Sequence, residues 1–413
     1  MRLIFQGDRI WGNSAYSKVI YNLSMKLIEE GHMIAHIPMG KALRGGKFNH
    51  SGVLVYSSGQ DTFSQDVSVK HYLNFKADML ITVKEPWVFN TLHKEAINFV
   101  PMAIIDHAPV STSIIARLHD AFKVIAVSRF GQKELMRHKI ESTYIPHGCD
   151  TDVYRPLNEE QKIACRRMFS LDPDDFVVGI VAMNRSRKLI SRQILGYKRF
   201  LELNPDVKSH MFLWTDVQPL RKFDEPSVGI SDVGVSLLPE IGEIGMGEAI
   251  LWPDRTNVAD GIPEWEGDNY IDGWDMVKLY NSFDVNMLCS GGEGAGLPYI
   301  EAAACGVSSI CTDYAGAPEY VGPGLTVPAN EYVVLNAPGT RYYLPSIDGM
   351  ARALTKVMNS DREKMARKVR KFAERYSWDN VVSRYVNPFL EECEKELYPM
   401  YTSTGIKSWR KGL

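Results

Sequence analysis

Short apolar runs alternate with longer stretches of helical period over most of the chain, the pattern of α/β units built on parallel sheets. The spacing predicts a strand over residues 1–5, a glycine-containing loop over 7–14, and a helix from about 16 to 30 that Gly31 closes. A strand over 33–37 follows, so the chain opens on a β-loop-α-β unit. Buried strands are expected again at 79–83, 102–105 and 124–127.

After residue 150 the pattern changes. Prolines and acidic residues between 155 and 175 read as a linker. A buried strand is expected at 176–182, then a helix near 192–203 and a strand at 210–214. Residues 218–272 show weak periodicity and several Gly and Pro. From 274 the order is helix, strand (283–289), loop, helix (297–305) and strand (307–312), and two helical stretches, 347–376 and 378–397, follow. The expectation is therefore two α/β domains, over 1–160 and 161–385, and a last helical segment over 386–413.

Composition narrows this little. A chain of 413 residues is long for one core, and 45% hydrophobic with 23% charged residues is an ordinary globular balance. The formal net charge of −3 supplies no basic field, so nucleic acid is not an expected partner. Cysteines at 149, 165, 289, 305, 311 and 393 form no C-x-x-C pair and read as reduced core thiols. The first apolar run is too short for a signal peptide, and no window supplies about 18 apolar residues. The expected location is cytoplasmic, with peripheral membrane contact left open.

The densest chemistry lies between strands 283–289 and 307–312. Ser290-Gly-Gly-Glu-Gly-Ala-Gly296 holds four glycines, which let backbone approach a ligand closely. Pro298 fits the first turn of the next helix and Gly306 its C-terminal cap. The loop thus aims the N–H groups of a helix N-terminus outward from the end of a strand, a ready diphosphate site. Glu293, in the loop, and Glu301, expected in the first helical turn, are placed to accept hydrogen bonds from sugar hydroxyls.

The segment SGGEGAGLPYIEAAACGVSSICTDYAGAPEYV resembles the Glu-x7-Glu signature of the GT-B-fold retaining glycosyltransferases of family 4. VIAVSRFGQKELMRH, YIPHGCDTDVYRPL and RYSWDNVVSRY are similar to further segments of that family, in the same order. The resemblance implies two Rossmann-like domains facing a cleft, with the C-terminal helix crossing back to the first domain. It also implies a hexose moved from a GDP- or UDP-sugar to an acceptor hydroxyl of a glycan, lipid or small molecule. Carried over by position, Glu301 binds ribose, Glu293 the transferred sugar, and the backbone of Gly294, Ala295, Gly296 and Leu297 the phosphates and sugar. Ala295 stands where an aromatic residue is frequent.

Lys188 matches a cation that neutralises the donor diphosphate. Met183 occupies the usual arginine position, leaving Arg187 or Arg185 for that role. His107, in a loop after a first-domain strand, matches a histidine near the donor sugar, and Gly12 with Asn13 matches the first β-α loop. His147 replaces a frequent asparagine and reads as a turn residue. A retaining transfer needs positioning and charge neutralisation rather than a carboxylate nucleophile, so no cofactor and no obligatory metal is expected. Two rivals are an NDP-sugar epimerase on a similar fold and an inactive nucleotide-binding scaffold. A dinucleotide enzyme is disfavoured, since no G-x-G-x-x-G follows the first strand.

Overall fold

The computed structural model describes residues 1–40, 42–43, 45–218, 234–253, 273–335 and 339–398. Most of the irregular 218–272 segment, and the last part of the expected terminal helix, lie outside the described residues. The chain divides into two compact units: Met1–Ile105, Val110–Gly148 and Ser377–Leu413 form one, Asp106–Pro109 and Cys149–Tyr376 the other.

In the first unit the strands are β1 (Arg2–Gly7), β2 (Met33–Pro38), β3 (Lys47–His50), β4 (Val53–Tyr56), β5 (Met79–Val83), β6 (Phe99–Ala103), β7 (Ile125–Ala126) and β8 (Thr143–Tyr144). They form one sheet in the order β3-β4-β2-β1-β5-β6-β7-β8. Every pairing is parallel except β3 with β4. β1 and β5 are buried almost throughout, hence their apolar runs Leu3-Ile4-Phe5 and Met79-Leu80-Ile81. β3 escaped the sequence pattern because its KFNH is polar and largely exposed. Helix Ala15–Glu29 starts at Ser14, whose hydroxyl accepts the Ser17 N–H at 3.1 Å, and buries Val19, Ile20, Leu23 and Leu27.

The C-terminal segment returns to this unit. Lys26 pairs with Asp379 at 2.8 Å, Lys123 with Glu392 at 3.0 Å, and Asn387 donates to Glu30 at 2.9 Å. The expected single helix over 378–397 is three pieces: Trp378–Val381, a π turn Val382–Val386, and Asn387–Leu397 with Pro388 in its first turn.

The second unit's sheet contains β9 (Phe176–Val181), β10 (Ser209–Trp214), β11 (Ile250–Leu251), β12 (Val285–Leu288), β13 (Ser308–Thr312) and β14 (Leu325–Val327). All are parallel, in the order β11-β10-β9-β12-β13-β14. A separate antiparallel hairpin joins β15 (Glu331–Leu335) to β16 (Thr340–Leu344). The order runs outward in both directions from β9 and β12, so the crevice at their carboxyl ends is the topological switch point where such sheets hold ligands.

Two expectations about helices are corrected. The supposed linker over 155–175 holds a helix, Glu159–Met168, opened by a capping box in which Asn158 and Gln161 satisfy each other's backbone. Arg166 ties it to the sheet through Asp284 at 2.7 Å and Ser282 O at 3.1 Å. The helical stretch 347–376 breaks at 359–361 into Ile347–Met358 and Arg362–Ala373, because Asp361 caps a new N-terminus by accepting the Lys364 N–H at 2.9 Å.

Candidate active site

The loops that follow β9 and β12 are laced together by backbone. Beyond β9, a single 3-10 turn, Ser186–Lys188, closes with the Lys188 N–H donating to Arg185 O at 2.9 Å. The Gly291 N–H donates to Arg187 O at 2.8 Å, and the Tyr343 N–H to Gly291 O at 2.9 Å. Gln193, fully buried in helix Ile190–Leu203, donates to Lys188 O at 2.7 Å and accepts the Cys289 N–H at 2.9 Å. One side chain therefore fixes the cation loop against the end of the glycine-loop strand.

Glu293 sits where those loops meet, 5% exposed. Its Oε2 accepts Arg187 Nη1 at 2.9 Å and its Oε1 accepts Lys188 Nζ, while Arg187 also donates to Gly292 O at 3.0 Å. Burial by itself would raise the Glu293 pKa; Arg187 and Lys188 outweigh it and hold the carboxyl down at about 2. Burial, with Arg187 alongside, lowers Lys188 to about 8 against the pull of Glu293. Lys188 and Arg187 thus lie together on one carboxylate, with Met183 38% exposed before them. Arg185 contributes its carbonyl to the turn.

The glycines are there for space. A Cβ on Gly292 would lie 2.2 Å from Asp106 O, and one on Gly316 would lie 2.4 Å from Gly294 O. Gly296 has φ +117°, and a Cβ there would lie 2.5 Å from the Tyr299 ring. From Gly296 the helix Leu297–Ala304 begins, with Pro298 in its first turn. The backbone N–H groups of Gly294, Ala295, Gly296 and Leu297 donate to nothing among the described residues, although Gly294, Ala295 and Leu297 are buried. Buried N–H groups rarely stay unpaired, and such a group of donors at a helix start is suited to an anion.

Glu301 is the fifth residue of that helix, in the second turn rather than the first. Complementing the helix dipole therefore does not account for it. It is 4% exposed and accepts the Tyr280 hydroxyl at 2.8 Å.

His107 belongs to the short segment Asp106–Pro109 that packs within the second unit, although it follows a first-unit strand. Its Nδ1 bonds Asp106 Oδ1 at 2.7 Å, and its Nε2 is buried with no hydrogen-bond partner among the described residues. The Ala108 N–H donates to the Tyr314 hydroxyl at 2.8 Å. Gly12 and Asn13 lie in the first unit, before helix Ala15–Glu29. A Cβ on Gly12 would lie 2.8 Å from Ser17 Oγ, and the Gly12 N–H donates to Arg9 O at 2.9 Å. His147 is buried, which pushes its pKa down to about 4, and all six cysteines are buried and unlinked.

The second unit thus assembles Arg187, Lys188, Glu293, the 294–297 backbone, Glu301 and His107. Sequence reasoning missed Gln193, Tyr280 and Asp106, each of which acts through a neighbour; a polar residue on the inner face of a helix was the only signal for the first. Two Asp-x-Asp tripeptides, a spacing able to hold a divalent ion, occur at 150–152 and 172–174. Both serve turns: Asp150 Oδ1 accepts the N–H groups of Asp152 and Val153 at 3.1 Å, and Asp172 Oδ1 that of Asp174 at 2.9 Å.

Residues 269–375 match the model of the family "Glycosyl transferases group 1". That segment is similar to the group 1 glycosyl transferases, and the fold is that of the GT-B glycosyltransferases. Sucrose-phosphate synthase from Thermosynechococcus elongatus is similar at 14% identity and a TM-score of 0.68, over 95% of this chain and 98% of that one. HepE from Anabaena, solved with UDP and glucose, gives 14% identity and a TM-score of 0.65, over 95% and 100%. An E. coli trehalose-6-phosphate protein bound with UDP-2-fluoro glucose gives 12% identity and a TM-score of 0.66, over 96% and 99%. No curated protein sequence matches the chain.

Proposed function

We propose that this protein is a retaining glycosyltransferase that moves a hexose from a nucleoside-diphosphate sugar to an acceptor hydroxyl. The observation that carries the reading is the pair Arg187 and Lys188, gathered on Glu293 immediately before a buried helix start with four uncommitted N–H groups. A diphosphate takes the N–H groups and the two cations; Glu293, released from them, accepts hydroxyls of the transferred sugar, and Glu301 those of the ribose. The solved relatives with UDP or a UDP-sugar bound favour a UDP-sugar over a GDP-sugar.

In the transfer, the acceptor oxygen forms its bond to the anomeric carbon on the face from which the diphosphate leaves. The acceptor proton passes to a leaving phosphate oxygen, and the electron pair of the broken C–O bond stays with the nucleoside diphosphate. Arg187, Lys188 and the helix N-terminus stabilise the charge that develops there. His107, its second ring nitrogen held by Asp106, carries an unpaired Nε2 for a sugar hydroxyl. Because two cations and a helix N-terminus can neutralise the leaving group, the reaction is proposed to proceed without a metal.

The test is a thermal-shift panel of nucleoside diphosphates and sugar nucleotides, followed by NMR of the product formed from the best donor. An α-donor giving an α-product, with turnover surviving EDTA, supports the reading. An inverted product refutes retention, loss of all turnover in EDTA refutes metal independence, and an isomerised donor formed without acceptor identifies an epimerase.

A further inference from the structure

Glu301 poses a physical problem that the loop sequence does not solve. A carboxylate at 4% exposure must be held by donors, and a ribose diol must still find acceptor capacity on it. We propose that Tyr280, aided by Tyr154, is the positioning residue that orients Glu301 for a ribose diol, and so sets the preference for ribonucleotide over deoxyribonucleotide donors. This rests on the reading of Glu301 given above.

The Tyr280 hydroxyl donates to Glu301 Oε2 at 2.8 Å, and Tyr280 itself is fully buried. A hydrogen bond from the Tyr154 side chain reaches the same carboxylate. Burial, reinforced by the charge of Glu301, raises both phenols well above their ordinary pKa, so they remain donors at every working pH. A carboxylate offers about four lone-pair sites. Two phenols therefore restrain its plane and take up two of those sites.

The phenols are themselves held. Their rings meet edge to face at 6.2 Å. Arg370 donates to Tyr154 O at 2.7 Å, to Thr151 O at 3.0 Å and to Ala304 O at the end of the Glu301 helix at 2.8 Å. Asn281, next to Tyr280, accepts the Leu157 N–H at 2.8 Å and donates to Arg155 O at 3.0 Å. The segment carrying Tyr154 is thus clamped to both helices that carry Tyr280 and Glu301. An acceptor fixed before the ligand arrives loses little freedom on binding, which is the physical content of preorganisation.

The experiment is calorimetric titration of the full chain and its Tyr280→Phe and Glu301→Gln variants with UDP and with 2′,3′-dideoxy-UDP, and in parallel with the guanosine pair. We expect the wild type to prefer the ribonucleotide of its base at least tenfold. Tyr280→Phe should lose most of that preference by weakening UDP, while its affinity for the dideoxy compound stays within twofold. Wild-type preference retained in Tyr280→Phe but lost in Glu301→Gln overturns the positioning role and leaves Glu301 on the ribose. Preference retained in Glu301→Gln, or absent from the wild type, overturns the ribose assignment itself. If Tyr280→Phe does not fold, Tyr154→Phe is read instead: about a threefold loss of preference supports the proposal, and no loss overturns it.

Discussion

Replacing Glu293 by glutamine separates two effects that usually move together. In the unliganded protein Glu293 occupies Arg187 at 2.9 Å and Lys188 beside it, so a diphosphate must compete with a buried carboxylate for its own cations. A charge pair at about 4 Å in an effective dielectric of about 20 is worth roughly 4 kcal/mol. If a third of that opposes binding, Glu293→Gln should tighten UDP by about 1.4 kcal/mol, or tenfold. The sugar moiety responds oppositely, since hydrogen bonds from its hydroxyls to a charged acceptor, worth about 1.5–3 kcal/mol, are weakened. UDP should therefore gain on the UDP-sugar in the variant, and transfer should fall by a factor of about 100 or more. Calorimetry well below pH 8, where Lys188 keeps its proton, measures both affinities. The unliganded variant should also melt lower, because breaking a buried pair costs about 3–5 kcal/mol. Unchanged or weaker UDP binding by a folded Glu293→Gln protein would refute the competition.

The remaining predictions use the same site. With Lys188 at about 8 in the unliganded protein, and diphosphate favouring its charged form, nucleotide affinity should be flat below pH 8 and fall as pH rises beyond it, and Lys188→Arg should remove that fall. Glu293 is held at about 2 against the usual carboxylate range, so its contribution to stability is present above about pH 4.5 and is lost as pH falls toward 2; a melting series at acid pH in the wild type and Glu293→Gln reads it. Gly296→Ala should weaken nucleotide binding at least tenfold and lower the melting temperature, because the backbone is at φ +117° and the new Cβ meets the Tyr299 ring. Gln193→Ala orphans the Cys289 N–H and should cost about 1–3 kcal/mol in denaturant melts, with weaker nucleotide binding.

What the sequence made legible followed from periodicity and punctuation. β1, β5, β9, β12 and β13 are buried almost throughout, and each lies within two residues of its expected bounds. The glycine loop announced itself because close approach excludes any Cβ at Gly292 and Gly296. Polar or very short elements carried no such signal: β3 is exposed, and β8 spans two residues. The helix in the supposed linker was readable in principle from Asn158 and Gln161, but prolines and acidic residues around it dominated the composition. In the site, residue types suggested both glutamates and the cations. Their pairing in the unliganded protein was not readable, because it depends on two loops more than a hundred residues apart in sequence. Met183 in the usual arginine position left Arg185 and Arg187 open; the 3-10 turn places Arg187 on Glu293. Tyr280 and Gln193 look like any buried helical residue until their partners are known.

The most direct test of the account is a crystal structure of the protein with its preferred nucleoside diphosphate. The diphosphate should lie on the backbone N–H groups of 294–297, with Arg187 and Lys188 moved from Glu293 onto its oxygens and the ribose diol on Glu301. A diphosphate bound away from the start of helix Leu297–Ala304, or bound there while both cations remain on Glu293, would contradict it.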